Sequence, residues 1–381
     1  HPLGVAAQSR GKRARLAWDD LRPHLVRDAD RPHAVIYHCA WQYRPWDADW
    51  AFCVPHRLVS ERFGPGTYDV ELDVEEDAAD MLVGIAEHRG TTDRVIVLNA
   101  HTCHPGQAND DMAGVAILVR LLQSLAGRRT HYTYRAVFAP EHLGTVFHLS
   151  TLDDAELDRL VSGLFVEMPG TPGAPLKAAS TFLGGQPIDV AVRHAARMRE
   201  PDAVDVPWRS GAGNDETVWE APGIEVPFVE LSRCLDTYAP FATYHSDGDT
   251  ADALDPDGLA GMFDTLADVI DILERNATLH RCFNGLPCLS NPDVDLYFER
   301  PDPAIAKDID DVAERWGRML DSLLRAFDGR STVLDVAVRH GLPFRAVYDY
   351  LDRFVQRGLL RMAFAPIERV PRSTMDEEVR P

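Results

Sequence analysis

Val95-Ile-Val-Leu-Asn-Ala-His-Thr-Cys-His-Pro-Gly-Gln-Ala-Asn-Asp-Asp-Met-Ala-Gly114 is the stretch that decides the fold. From Arg94 to Leu98 it carries the β-branched apolar residues of a buried strand. Met112, Val115, Leu118, Leu121, Leu122 and Leu125 then recur at helical spacing up to a stop at Gly127. The loop between the two patterns therefore sits at the carboxyl end of a strand, the edge where open α/β sheets bind ligands. His101, His104, Asp110 and Asp111 offer imidazole nitrogen and carboxylate oxygen, the donors zinc takes in catalytic sites. The competing account is a solvated loop that Asp110 caps, since aspartate is a common N-cap.

Working outward, 381 residues with 45% hydrophobic composition can bury a full core and divide into two or three domains. A formal charge of −21 argues against a surface built to neutralise phosphates or anionic lipid, so neither nucleic acid nor membrane is expected as a partner. The six cysteines are scattered without a paired zinc-ribbon spacing, which reads as free thiols in a reducing, cytoplasmic setting. No apolar run approaches the ~20 residues of a membrane span, and the first residues lack the apolar centre of a signal peptide. Because the chain opens on His1 instead of Met, a trimmed or added start is expected.

Before the central stretch, residues 1–31 read as a flexible start with one helix, and residues 32–88 as a β-rich subdomain of short runs such as Ala34-Val-Ile-Tyr37, Trp50-Ala-Phe-Cys-Val54 and Met81-Leu-Val-Gly-Ile85. After it, strand, polar residue and helix recur. Tyr132 to Phe138 leads to Glu141-His142, Gly163-Leu-Phe-Val166 leads to Glu167, and Gly223 to Leu231 follows the loop Trp208 to Thr217. His245 precedes a helix from about Asp257 to Arg275. This alternation predicts a three-layer α/β sheet with its polar loops gathered on one edge. Residues 89–284 form this expected catalytic domain, 285–303 a connector and 304–368 a winged-helix-like domain, with a disordered tail over 369–381. The would-be recognition helix, Phe344 to Gln356, has as many acids as arginines and suits packing instead of a DNA groove.

On that edge the order His104, Asp110, Glu141, His142, Glu167, His245 resembles the zinc aminopeptidase superfamily, in which a His, a bridging Asp, a tandem Glu-Glu, an Asp or Glu and a final His build a one- or two-metal site. Ala108-Asn-Asp-Asp-Met-Ala-Gly114, Gly213-Asn-Asp-Glu216 and Tyr244-His-Ser-Asp-Gly-Asp-Thr250 are similar to its other motifs. Cys103-His-Pro105, Pro140-Glu141 and Trp50-Ala-Phe-Cys53 resemble more narrowly an aminopeptidase-like family with an inserted β domain and a C-terminal winged-helix-like domain. Its members occur around polysaccharide and natural-product genes. The resemblance implies His104, Asp110, His142, Glu167 and His245 as metal ligands and Glu141 as general base. His142 stands where the superfamily has its second Glu, and imidazole does not bridge metals as a carboxylate does. One tightly bound zinc, or two of unequal affinity, is therefore expected. His101 remains an alternative to His104, His142 an alternative hydrogen-bond donor to a carbonyl, and Cys103 a packing thiol.

The expected function is zinc-dependent hydrolysis of an amide or peptide bond in a small-molecule or peptide substrate, by metal-activated water with Glu141 as base. Arg209, Asp215 and Glu216 are the expected substrate-binding residues, and natural-product or polysaccharide metabolism the expected setting. Metal-assisted acyl transfer or cyclisation on the same fold, and a non-catalytic binding or regulatory protein that uses the winged helix, are the competing functions. A homo-oligomer is a further expected assembly, the winged-helix-like tail being expected to pack against the catalytic domain or a second subunit.

Overall fold

The alternating strands and helices close into a mixed seven-stranded sheet in this computed structural model, which describes residues 1–236, 238–297 and 311–373. Across the sheet the strands run Val204–Val206, Lys177–Ala179, Phe228–Ser232, Leu160–Glu167, Val95–His101, Thr133–Ala139 and Gly84–His88. Val95–His101 is central and pairs in parallel with Leu160–Glu167 on one side and Thr133–Ala139 on the other. The antiparallel pairs are Gly84–His88 with Thr133–Ala139, and Phe228–Ser232 with Lys177–Ala179.

Every residue of Val95–His101 is buried, and strand alternation sends them to two different cores. Ile96, Leu98 and Ala100 pack with Ile117, Leu118 and Leu121 of the helix Ala113–Ser124 and with the helices Pro187–Arg199 and Pro256–Arg275. Val95 and Val97 pack on the other face with Leu149, Leu157 and Trp219. Helices thus cover both faces, which makes three layers. Met112, counted with the helical pattern, faces solvent: Asp110 and Asp111 have non-helical backbone angles, so the regular helix starts one residue later.

The amino-terminal part differs from a flexible start with one helix. Lys12–Ala17 is a strand antiparallel to Thr67–Leu72, and its side chains alternate between half-buried and exposed. The basic residues in Lys-Arg-Ala-Arg-Leu-Ala disguise that period of two in the sequence. Leu21, Leu25, Trp50, Val59, Val70 and Leu72 form a small separate core beneath it. Gly84–His88, grouped in the sequence with the β-rich segment, joins the edge of the main sheet.

Past the helix Pro256–Arg275, the strand Ala277–Arg281 lies between Asp328–Thr332 and Leu360–Phe364 in an antiparallel sheet. Leu279, Phe327, Val347, Leu351 and Phe354 belong to the same contiguous apolar cluster as Ile96 and Leu118, so this sheet and its helices are fused to the main domain. Residues 298–303 of the expected connector, 304–310 of the expected winged-helix-like unit and 374–381 of the tail lie outside the described residues. Arg369 and Arg372 are anchored: Arg369 donates to Glu225 O, and Arg372 pairs with Asp154 and Asp158. Among the described residues no helix is long and apolar enough to cross a membrane.

Candidate metal centre

Three adjacent parallel strands end at one place. His101 closes Val95–His101, Glu167 closes Leu160–Glu167, and Glu141 follows Thr133–Ala139 by two residues. The loop that carries Asp110 is held from beneath by two further acids. Asp249 accepts the backbone N–H groups of Asn109 (2.9 Å) and Asp110 (3.2 Å), and Asp111 accepts those of His101 (3.4 Å) and Gly114 (3.2 Å). A Cβ at Gly114 would lie 2.4 Å from Asp111 Oδ1, which explains glycine there.

The buried Asp110 carboxylate faces two donor groups. Oδ1 lies 2.9 Å from His101 Nε2, which is 3.2 Å from Glu167 Oε1. Oδ2 lies 3.3 Å from His245 Nε2 and 3.8 Å from His104 Nε2. His101, Asp110 and Glu167 form one group whose ligand atoms all lie within 4.8 Å of one another, and His104, Asp110 and His245 form a second. Tyr37 stacks on the His104 ring and meets His245 edge-on, while Tyr244 stacks on His245. Asn214 donates to Glu167 Oε2 at 2.8 Å and so turns Oε1 toward His101.

The electrostatics of the groups fit a cation. Burial opposes ionisation of Asp110, yet the neighbouring His101 and His245 hold its carboxyl well below the usual range. Burial likewise opposes charge on His101, but the Glu167 charge and the Asp110 hydrogen bond raise its pKa far above the ordinary imidazole value. Burial pushes Glu167 up to about 8 and His104 down to about 4, which favours the neutral imidazole form that is able to ligate a metal. Asp110 Oδ2 is buried without a hydrogen-bond partner among the described residues, an uncompensated acceptor that a divalent ion would satisfy. Three imidazoles, a shared carboxylate and a glutamate form a nitrogen and oxygen donor set suited to zinc.

Of the sequence-derived ligands, His104, Asp110, Glu167 and His245 come together, and His101 joins them on the opposite side of Asp110 from His104. The two histidines face different oxygens of Asp110, His101 toward Oδ1 and His104 toward Oδ2. His142 lies in neither group. It begins the helix Leu143–Ser150 with a φ of 37°, its backbone N–H donates to Asp215 Oδ1 at 3.0 Å, and its Nε2 is 3.4 Å from Glu141 Oε1. Asp215 is fully buried with its second oxygen taken by Thr145, so it fixes His142 and does not face a substrate. Glu216 is also buried; it accepts from Asn214 N at 2.7 Å, and burial with the nearby Glu230 charge pushes it up to about 8. Arg209, half-exposed and 3.9 Å from Glu216 Oε1, is the member of that trio open to solvent. Cys103 Sγ sits 3.1 Å from His104 Nδ1 and 3.7 Å from Glu141 Oε2. Tyr37 and Asn214 gave no signal in the sequence beyond closeness to Cys39 and to Asp215-Glu216, because their contacts cross 67 and 47 residues of chain.

Two family models match, each described as a Domain of unknown function: DUF2172 over residues 1–75 and DUF4910 over residues 49–276. A Clostridium acetobutylicum relative, by name a candidate polysaccharide biosynthesis protein with an aminopeptidase-like domain, is 27% identical over 351 residues, 91% of this chain and 76% of its own. The crystal structure of a candidate peptidase from Clostridium acetobutylicum superimposes with a TM-score of 0.76 at 24% identity, over 95% of this chain and 78% of that one. This chain has the same aminopeptidase-like fold. The zinc aminopeptidase BSAP of Bacillus subtilis aligns at a TM-score of 0.47 and 14% identity, over 58% of this chain and 57% of that one.

Proposed function

The chain belongs to the family described as Domain of unknown function (DUF4910), whose model matches more than half of it, and we propose that it is a zinc-dependent hydrolase of an amide or peptide bond in a small substrate. The observation that carries this reading is Asp110, with one oxygen toward His101 and Glu167 and the other toward His104 and His245, beside a carboxylate, Glu141, that belongs to neither Asp110 group. His101, Asp110 and Glu167 would hold the tighter ion, because all three are buried and Glu167 adds a second carboxylate; His104, Asp110 and His245 would hold a weaker one. A bound zinc supplies Lewis acidity, polarising an amide carbonyl and making water more acidic.

The protein's own groups do the remaining work. Glu141 takes the proton of the attacking water and delivers it to the leaving amine. Its two oxygens are positioned by the Cys103 thiol (3.7 Å) and by His142 (3.4 Å). Burial lowers the pKa of His142 and favours its neutral form. Asp215 fixes the backbone of His142 and so the end of the strand that carries Glu141. Arg209, the exposed cation beside this loop, is the residue placed to meet an anionic part of the substrate. The reading is tested by a panel of aminoacyl and acyl amides, assayed for amine release with and without chelator. Release that the chelator abolishes supports it; no release from any compound by zinc-loaded protein overturns it.

A further inference from the structure

Cys103 and Glu141 belong to neither Asp110 group, yet a ring nitrogen of His101, Cys103 Sγ and a Glu141 oxygen lie within 4.8 Å of one another. His101 Nε2 is engaged with Asp110 and Glu167, whereas Nδ1 is buried without a hydrogen-bond partner among the described residues. A buried ring nitrogen left unpaired beside a thiol and a carboxylate is an uncompensated polar atom, and a cation is the ligand that would satisfy all three at once. Thiol, imidazole and carboxylate together select a thiophilic divalent ion such as zinc or cadmium over calcium or magnesium.

We infer that Cys103, Glu141 and His101 form a cation position of their own, distinct from the two groups that share Asp110. Neutral imidazole has one lone pair, so His101 serves this position through Nδ1 while its Nε2 keeps a proton directed at Asp110 and Glu167. The thiol proton and the proton on His101 Nδ1 pass to solvent as the sulfur–metal and nitrogen–metal bonds form. Occupancy here therefore excludes a cation from the buried group of His101, Asp110 and Glu167. It also removes Glu141 from proton transfer, a consequence that rests on the hydrolase reading, whereas the binding position does not.

The test is a cadmium titration of chelator-treated full-length protein, read by ultraviolet thiolate-to-cadmium charge-transfer absorbance, with circular dichroism as the control for folding. The wild type should develop the band and saturate near about one equivalent. Cys39→Ser, which alters the other half-buried thiol near Glu141, should keep it, and Cys103→Ser and Cys103→Ala should lose it. Asp110→Asn should also retain the band although it disrupts both Asp110 groups, which separates failure of this inference from failure of the hydrolase reading. A wild type without the band, a band that survives in both Cys103 variants, or its loss in folded Asp110→Asn would overturn the inference.

Discussion

Asn214 fixes the face that Glu167 presents to the centre: its side-chain amide donates to Oε2 at 2.8 Å, and Oε1 is left 3.2 Å from His101 Nε2. Both residues are buried, so nothing else supplies that donor from solvent. Partners of this kind, which orient a ligand without touching the ion, typically carry about 10–100-fold in metal affinity. Asn214→Ala should weaken zinc binding by about that factor, measured by competition with a chromophoric chelator. An unchanged dissociation constant would mean that His101 and Asp110 orient Glu167 unaided.

The shared carboxylate makes the metal count of each variant specific. Asp110→Ala should empty both groups, whereas His245→Ala should lose only the ion of the outer group, because His101, Asp110 and Glu167 remain intact. Elemental analysis of purified proteins reads this directly. Equal zinc content in His245→Ala and the parent would show that the outer group holds nothing in solution.

Much of this arrangement is legible in the sequence, for physical reasons that differ by residue. The apolar run Val95–Leu98 and the leucine spacing to Leu125 mark the central strand and helix because each buries one consistent face. Acids and histidines just past strand ends then mark the site. Sequence order could not decide between His101 and His104, since loop curvature, not spacing, turns one ring to each oxygen of Asp110. His142 followed the resemblance to a tandem acidic pair, but its ring lies between Glu141 (Nε2 to Oε1, 3.4 Å) and Asp215 (Nδ1 to Oδ1, 3.6 Å). Asp215 and Glu216 read as substrate residues because burial is not visible in a polar loop.

Gly114 provides a stability test of the loop. A methyl group there would stand 2.4 Å and 2.5 Å from the two Asp111 oxygens, which are buried and bonded to backbone. Gly114→Ala should therefore destabilise the protein by about 1–3 kcal/mol, the usual range for overpacking a tight site. Denaturant unfolding gives the value, and an unshifted midpoint would show that Asp111 can move aside.

Glu216 makes stability depend on pH in a stated direction. Burial first, then the Glu230 charge, raises its pKa from 4.5 to about 8, so the folded protein holds this proton more tightly than the unfolded chain. Its contribution is fully present below about 4.5 and is lost as pH rises through about 8. Glu216→Gln cannot ionise. Its melting temperature should fall less between pH 5 and pH 8.5 than that of the parent, about the interval in which linkage acts. Parallel pH profiles would place the proton elsewhere, with Glu220, which burial pushes up to about 7, as the neighbouring source.

Glu141 separates proton transfer from metal binding. Its side chain is half-buried at the strand end, within 3.7 Å of Cys103 Sγ and 3.4 Å of His142 Nε2, and in neither Asp110 group. Gln at this position keeps the shape and hydrogen bonding but cannot accept a proton from water. On an amide substrate, kcat should fall by roughly 10²–10⁴-fold, the contribution of a positioned acid-base group. The zinc held by the two Asp110 groups and the melting temperature should match the parent, because the ions at Asp110 do not use this carboxylate. A Glu141→Gln protein that turns over at the parental rate would remove Glu141 from the mechanism. One that loses the zinc of the Asp110 groups together with activity would make it a ligand of those ions instead of a base.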